Sequence, residues 1–559
     1  MTSTPISPSP KERASLSTSR IVFLVIAAAA PLASMIGNLP IALGLGNGAG
    51  TPGAFAIAGI ILLCFAVGYA AMSRRIVATG AFYTYITEGL GTTLGVSSAY
   101  IALVAYLAFT FGLAAFFGYF TSLVLGQAGL RLPWLVYAIV GIFIVGVLGY
   151  RSIDLSSAIL GALMIGEVII LAIFDIAVIH AKGFSLALPA NAWSPHAVFT
   201  PGLGVSLMVA FTCFVGFESA ALYGEEARDP KRSIPVATYT AVISIAIFYL
   251  FTAWVAVGAI EPDAIAVRAN KETGELMFNI FTRYGGEVLT DIMGVLVCFS
   301  ILASYLAIHN AAARYIFALG REWLLLPWFG EAHPKSGAPH RASMTVSVMT
   351  LIAVIPFALT GLDPFKAGVP VLIGIGSFGI IFLQAFAAIA ILVYLRRHGG
   401  EPSWVMLATW FGAIGLICAT IFVGIYFKFL ATSDATLVGL LPLLFPLVVI
   451  PFAIFSVLLK FVRPKAPSAQ DGALIDEAMS SPKIFTDAGP EFLIRDSAAG
   501  AAAWVIKYKN VAGSEIMSGS KPSFEIALAE ARNLRDQRGA KILELIGLPA
   551  HEGDGGGNV

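Results

Sequence analysis

Charge is scarce in this sequence. Only 12% of its 559 residues are Asp, Glu, Lys or Arg, where soluble domains carry about 25%. With 58% hydrophobic residues and a mean hydropathy of +0.85, the shortage excludes a string of soluble domains, although the length alone would permit roughly three or four. Most of the chain must be solvated by lipid. Cysteine is scarce too: Cys64, Cys213, Cys298 and Cys418 each stand alone inside an apolar run. Such isolation fits neither a disulfide framework nor a zinc site, and small packing residues are the plain reading. Charge of one sign is also lacking, since the net charge is +1, which leaves no electrostatic case for nucleic acid. No nucleophile–base pair, metal-ligand spacing or nucleotide loop is found. "GLGNGAG" at Gly44–Gly50 departs from G-x-G-x-x-G at Ala49 and follows no strand. Neither an enzyme, a cofactor nor a metal is implied.

Long apolar runs are plentiful. A bilayer core of about 30 Å takes roughly 20 apolar residues per helix. Twelve such runs start near Ile21, Gly53, Gly91, Pro133, Leu155, Gly204, Pro235, Val288, Met344, Val369, Trp404 and Ala435, the last ending near Leu459. The stretch after Arg20 has the look of a signal peptide, but its apolar run continues to Leu45, so it reads as a span. With a cytoplasmic N-terminus, the inner loops up to Lys465 collect 18 Lys and Arg and the outer ones 7. The positive-inside rule then puts both termini in the cytoplasm. The reading is a multi-pass protein of the cytoplasmic membrane.

Four regions follow. Residues 1–20 are a disordered cytoplasmic N-terminus, 21–461 the membrane domain, 462–490 a linker opened by "RPKAPSAQDGA", and 491–559 a small cytosolic α/β module with a disordered end. In that module Trp504, Ile506 and Tyr508 alternate with Val505, Lys507 and Lys509 at the period of a strand. Phe524, Ala527, Leu528, Ala531 and Leu534 follow a helical period between Ser523 and Gly539, and "KILEL" reads as a further strand. With 13 acidic against 9 basic residues after Lys465, the tail is no polybasic membrane anchor.

Two spans are interrupted in matching places. The first carries Ser34, Gly37, Asn38 and Pro40, and the sixth carries Thr212, Gly216 and Glu218. Opening helices broken in each half point to an inverted-repeat transporter with its site near mid-membrane, where unwound backbone offers N–H groups at one half-helix end and C=O groups at the other. Close packing through small residues is the alternative. An acid at mid-helix costs about 2.5–3.5 kcal/mol on insertion scales, so Glu218 is expected to face a water-filled cavity or to pair with another polar group.

"FVGFESAALYGEEARDPKRSIPVA" in and after the sixth span resembles the sixth-helix signature of the amino acid–polyamine–organocation superfamily. "ARYIFALGREWLLLPWFGEAHPKSGAPHRA" (Ala313–Ala342) resembles that family's loop after the eighth helix, and "GAFYTYITEGLG" (Gly80–Gly91) the stretch leading into the third. The resemblance covers residues 21–461 and not the tail. It implies an all-α, leucine-transporter-like fold of five plus five inverted helices, the first and sixth discontinuous, with two more appended. It further implies that Phe214, Val215 and Gly216 form the unwound turn facing substrate, with Phe217 inside it, and that Glu218 serves in gating. Thr212 and His309 fall where relatives often place an aromatic gate, Thr110 and Ser377 at pocket positions on helices three and ten, and Glu167 where several proton-coupled relatives carry a fifth-helix lysine. One departure stands out. The family's first helix usually shows a Gly-Ser-Gly-type turn that cradles the substrate carboxylate, and the nearest equivalent here is "SMIGNLP", which leaves the substrate class open.

Other roles stay open for three of these groups. Glu167 is a coupling residue or a packed, permanently protonated acid, and its span also holds Asp175. His309, one turn after Tyr305, contacts ligand or bonds within the bundle. Glu225, Glu226 and Asp229, beside Arg228, Lys231 and Arg232, read as a solvated ion-pair gate or surface. The expectation is therefore a secondary transporter of an amino acid or related amine, symporting protons by alternating access. An exchanger or polyamine/ethanolamine-type amine permease is the alternative in the same class. The alternative from another class is an amino-acid-binding membrane sensor signalling through its tail.

Overall fold

The computed structural model describes residues 16–76, 82–151, 157–223, 227–261, 264–321, 324–333, 338–359, 361, 363–430, 440–447 and 451, and strand residues 484–485, 493–496, 503–509, 515–517 and 541–548. The chain divides into two compact units, Met1–Ile454 and Phe455–Val559.

The first unit is helical, and among the described residues ten helices are long and apolar enough to cross a membrane, with a shorter apolar one at Trp134–Tyr150. This is a multi-pass membrane protein. We label the spans α1 (Thr18–Gly44), α2 (Thr51–Arg75), α3 (Thr92–Gln127), α4 (Trp134–Arg151), α5 (Ser157–Lys182), α6 (Leu203–Phe214), α7 (Pro230–Ala259), α8 (Glu287–Arg321), α9 (His340–Leu359), α10 (Val369–His398) and α11 (Ser403–Tyr426). Of the twelfth apolar run only residues 440–447 and 451 are described, so most of that run lies outside the described residues. Helices in lipid gain little from apolar burial against one another, so close backbone approach through small residues drives their packing. A Cβ on Gly412 of α11 would lie 2.6 Å from Phe65 N of α2, which shows how near those two backbones come.

Two spans are broken. α1 is helical over Thr18–Ala28 and again from Pro31, with Ala30 between at φ 45° and ψ 70°. That left-handed conformation costs a residue with a Cβ about 1–2 kcal/mol. Pro31 then opens the second half, where its missing N–H leaves no bond unmade. Ser34–Asn38 form a widened π-helical turn, and Pro40 follows in the first turn of Leu39–Gly44. The interruption expected at Ser34–Pro40 is thus a widened turn, and the chain break lies earlier, inside a run of alanines. α6 ends at Phe214, Val215 bonds back to Thr212 O at 3.1 Å, and Gly216 turns the chain at φ +120°. A 3-10 segment, Phe217–Tyr223, continues it.

Short helices between α7 and α8, Ile265–Glu272 and Leu276–Gly285, lie against the outgoing ends of α1 and α3. Asn270 Nδ2 donates to Gly44 O at 3.0 Å, and Phe278 stacks on Phe120 at 6.1 Å. Near the start of α1, Leu16 bridges to Ala227 and the Thr18 hydroxyl lies 2.8 Å from that of Ser233, which ties the chain before α1 to the start of α7. Glu225 and Glu226 lie outside the described residues. Arg228, Asp229, Lys231 and Arg232 are exposed.

Among the described residues the second unit contains five strands, which we label β1 (Ile484–Phe485), β2 (Leu493–Asp496), β3 (Ala503–Lys509), β4 (Glu515–Met517) and β5 (Lys541–Leu548). They form one sheet in the order β1-β2-β5-β3-β4. β2 and β5 are parallel and the other neighbours antiparallel. β3 and β5 carry the two strands expected from Trp504–Tyr508 and "KILEL". β1 falls within the stretch read as a linker, and the helix expected after Ser523 lies outside the described residues.

Candidate functional site

The two breaks meet. A Cβ on Gly216 would stand 2.9 Å from the carbonyl carbon of Ala28 and 2.9 Å from the nitrogen of Ala29, so only glycine lets the α6 turn pass the α1 turn at this distance. Tyr249 of α7 donates its hydroxyl to Ala29 O at 3.2 Å, and Ser34 Oγ donates to the same oxygen at 3.0 Å. The carbonyl released by the α1 break is thereby satisfied inside the bundle, as burial in an apolar medium demands.

A small cavity of about 20 Å³ lies beside this junction. Ser34, Asn38, Thr212 and Ser304 give it polar walls, and Ala29, Ala30, Ala33 and Val215 add to the lining. Phe109, Leu113, Phe116, Ile308 and Ile373 form the apolar side. The space admits about one water, so a larger occupant requires the walls to part. Aromatic rings close one side: Phe116 packs on Phe120 at 4.9 Å, and Phe365 covers Phe116 and Tyr119 at 6.4 and 5.1 Å. Elsewhere in the bundle Tyr106 stacks on Tyr315 at 5.5 Å.

Two buried acids stand at the breaks, Glu218 at 3% and Glu167 at 5% exposure. Glu218 Oε2 accepts the Gly216 N–H at 2.9 Å, and Oε1 accepts the Tyr106 hydroxyl at 3.4 Å. The Glu218 backbone carbonyl accepts from Tyr69 OH at 2.8 Å. Glu167 reaches across from α5 to the start of the second half of α1, where Oε2 accepts the Leu32 N–H at 3.1 Å. Ser300 of α8 accepts the next N–H, that of Ala33, at 3.3 Å. Among the described residues neither acid has a Lys or Arg partner. A third acid, Asp175, accepts from Thr252 at 3.0 Å farther along α5.

Of the residues singled out in the sequence, Ser34, Asn38, Thr212 and Val215 line the cavity. Ser377 stands behind Thr212, their hydroxyl oxygens 2.6 Å apart. A Cβ on Gly37 would lie 2.0 Å from Phe116 Cζ, so Gly37 makes room for that ring. Phe214 packs on Tyr249 at 5.8 Å and Phe217 on Phe65 at 6.3 Å. Neither is among the residues that line the cavity, and nor is Thr110, whose hydroxyl bonds Tyr106 O at 2.6 Å. His309 is fully buried between α8 and α9, its Nε2 2.9 Å from Ser343 Oγ. Ile308 and Ser304 take the cavity face of α8 in its place. Ser300, Ser304, Tyr106 and Phe116 were not singled out. Ser300 and Ser304 are one helical turn apart, a spacing that places both on one face and offers a signal in the sequence.

The family model described as amino acid permease matches residues 16–455. An uncharacterized transporter of Mycobacterium tuberculosis is 25% identical over 349 residues, 62% of this chain and 73% of that protein. A low-affinity putrescine importer of Escherichia coli is 24% identical over 324 residues, 54% of this chain and 66% of that protein. A chloroplastic cationic amino acid transporter of Arabidopsis thaliana is 26% identical over 219 residues, 38% of this chain and 34% of that protein.

Proposed function

Because the chain belongs to the amino acid permease family and is therefore a membrane transporter, we propose that it carries an amino acid or related amine across the cytoplasmic membrane, driven by protons. The single observation that carries this reading is the junction of the two broken helices, with Gly216 against Ala28 and Ala29 and a buried carboxyl at each break. In this reading α1–α5 and α6–α10 are inverted repeats, α11 and the run from Ala435 complete twelve spans, and both termini face the cytoplasm. The sheet of residues 484–548 belongs to a small cytosolic α/β module.

The cavity is the substrate site in its closed form, too small for an amine until the rings on one side part. Ser34, Asn38, Thr212 and Val215 contact substrate. Gly37, Phe214, Gly216, Phe217 and Ser377 hold the turn and the wall, while Thr110 and His309 support α3 and α8 from behind. Glu218 ties the α6 turn to Tyr106, which stacks on Tyr315. Proton transfer at Glu218 changes what that turn can bond, which links protonation to the gate. Glu167 holds the second half of α1 through Leu32, so its protonation acts on the other break. Moving α1, α2, α6 and α7 against the other spans then exposes the cavity to each side in turn.

Proteoliposomes loaded in sodium-free buffer test this directly. Accumulation of a labelled amine or amino acid should follow an imposed proton gradient. Uptake that requires sodium and ignores the proton gradient would refute the coupling.

A further inference from the structure

We propose that Asp175 is a further proton-binding site, the station through which a proton entering from outside reaches Glu167. The inference rests on the reading of the carrier as proton-driven with both termini in the cytoplasm, which puts the Lys182 end of α5 at the outer face. Asp175 lies seven residues before Lys182, about 10 Å inside that end at 1.5 Å per residue. Its Oδ2 accepts the Thr252 hydroxyl of α7 at 3.0 Å. Its Oδ1 is buried and has no hydrogen-bond partner among the described residues. An ionised carboxylate inside a span needs several donors or a cation beside it. One hydroxyl is supplied here, and among the described residues no Lys or Arg pairs with the acid. Lys182 directs its ammonium to Gly258 O at 2.7 Å instead. The place suits a neutral carboxyl, and a proton on Oδ1 has its donor bond still unused.

The surroundings fit a route better than a strut. Glu167 and Asp175 are eight residues apart on α5, about 12 Å along its axis. Both are turned into the bundle, at 5% and 3% exposure, while Ile176 beside Asp175 is 66% exposed. α7 presents two hydroxyls one turn apart: Thr252 holds Asp175, and Tyr249 holds Ala29 O in the same break as Leu32, whose N–H Glu167 accepts. A strut between α5 and α7 needs only a neutral acceptor, without the insertion cost of an acid. The titratable proton is what the acid adds. In the transport cycle α7 moves against α5, so the seam at Asp175 opens and admits water from outside. The O–H of Asp175 then breaks, its proton passes through water in the seam, and an O–H forms on the Glu167 carboxylate. Asp175, left ionised, takes the next proton from the outer water before the seam closes.

Net uptake and exchange tell the route from the strut. Asp175→Asn keeps an acceptor for Thr252 and gives up the proton, whereas Thr252→Val breaks the bond and keeps the acid. The probe is labelled lysine or putrescine, whichever the wild type accumulates in proteoliposomes under an imposed proton gradient. Asp175→Asn should slow net uptake by at least about tenfold. Exchange of internal labelled for external unlabelled probe moves no net proton, and should keep its wild-type rate. Thr252→Val should slow net uptake less than Asp175→Asn does, and Asp175→Glu, which restores a titratable group, should recover it. Infrared spectra of the purified full-length protein at neutral pH should contain a protonated-carboxyl band that Asp175→Asn removes and Asp175→Glu shifts. Wild-type net uptake in Asp175→Asn, an equal loss of uptake and exchange there, or a band unchanged in both variants overturns the inference. Failure of the coupling reading would show in the wild type itself, as uptake indifferent to the gradient. Failure of this inference shows instead as gradient-driven uptake that Asp175→Asn leaves unaltered.

Discussion

At position 216 a Cβ would meet the backbone of Ala28 and Ala29 at 2.9 Å, and the φ of +120° is one that side chains rarely adopt. Alanine there brings a strained backbone, of order 1–3 kcal/mol, and a helix preference about 0.8–1.0 kcal/mol above glycine that favours closing the break. Gly216→Ala should weaken substrate binding by about tenfold or more at near-normal expression, as measured by equilibrium binding beside initial uptake. At Glu218 the expectation differs. Glutamine keeps an acceptor for Gly216 N–H but gives up the titratable proton, so Glu218→Gln should slow turnover more than it weakens binding. Wild-type values of both quantities in both variants would reduce the break to a packing feature. Glu167→Gln likewise keeps an acceptor for Leu32 N–H. It should abolish the pH dependence of uptake with binding retained, and an unaltered pH profile would make Glu167 a packing residue.

Among the elements, α6 and α1 break for different reasons, and the sequence betrays only one of them. The α6 break is written in residues: Gly216 supplies the turn and Glu218 two positions on supplies its acceptor. The α1 break falls in "AAAAP", where alanine is the best helix former and only Pro31 hints at a start. It is held open by contacts from elsewhere in the chain, namely Tyr249 OH and Ser34 Oγ on Ala29 O and Glu167 on Leu32 N. Local propensity carries no trace of such partners. The same limit explains His309, whose place opposite Ser343 of α9 depends on how α8 is rotated. Ala30→Gly tests the tertiary account. Glycine relieves the left-handed strain of about 1–2 kcal/mol at the cost of about 0.5–1 kcal/mol in chain entropy. Thermal unfolding should therefore show a small gain in stability with uptake preserved. A loss of stability would mean that Ala30 is not strained in the native protein.

For the whole molecule, the apolar runs and the strand alternation at Trp504–Tyr508 were legible because lipid burial and sheet pleating each impose a period or a length. The pairing order β1-β2-β5-β3-β4 was not legible, since sequence alternation says nothing about which edges meet. The two compact units divide at Ile454, and the residues named as lining the cavity belong to the first. Truncation near Ser468 should therefore leave transport largely intact. A truncated protein that reaches the membrane but transports nothing would give the tail a direct part in the cycle. The central claim is proton-driven carriage through the junction of the two breaks, and one measurement meets it most directly. Substrate accumulation is followed in sodium-free proteoliposomes under an inward proton gradient, before and after a protonophore. The account predicts accumulation that collapses on addition of the protonophore. Accumulation that survives the protonophore, or that appears only when sodium is supplied, would contradict it.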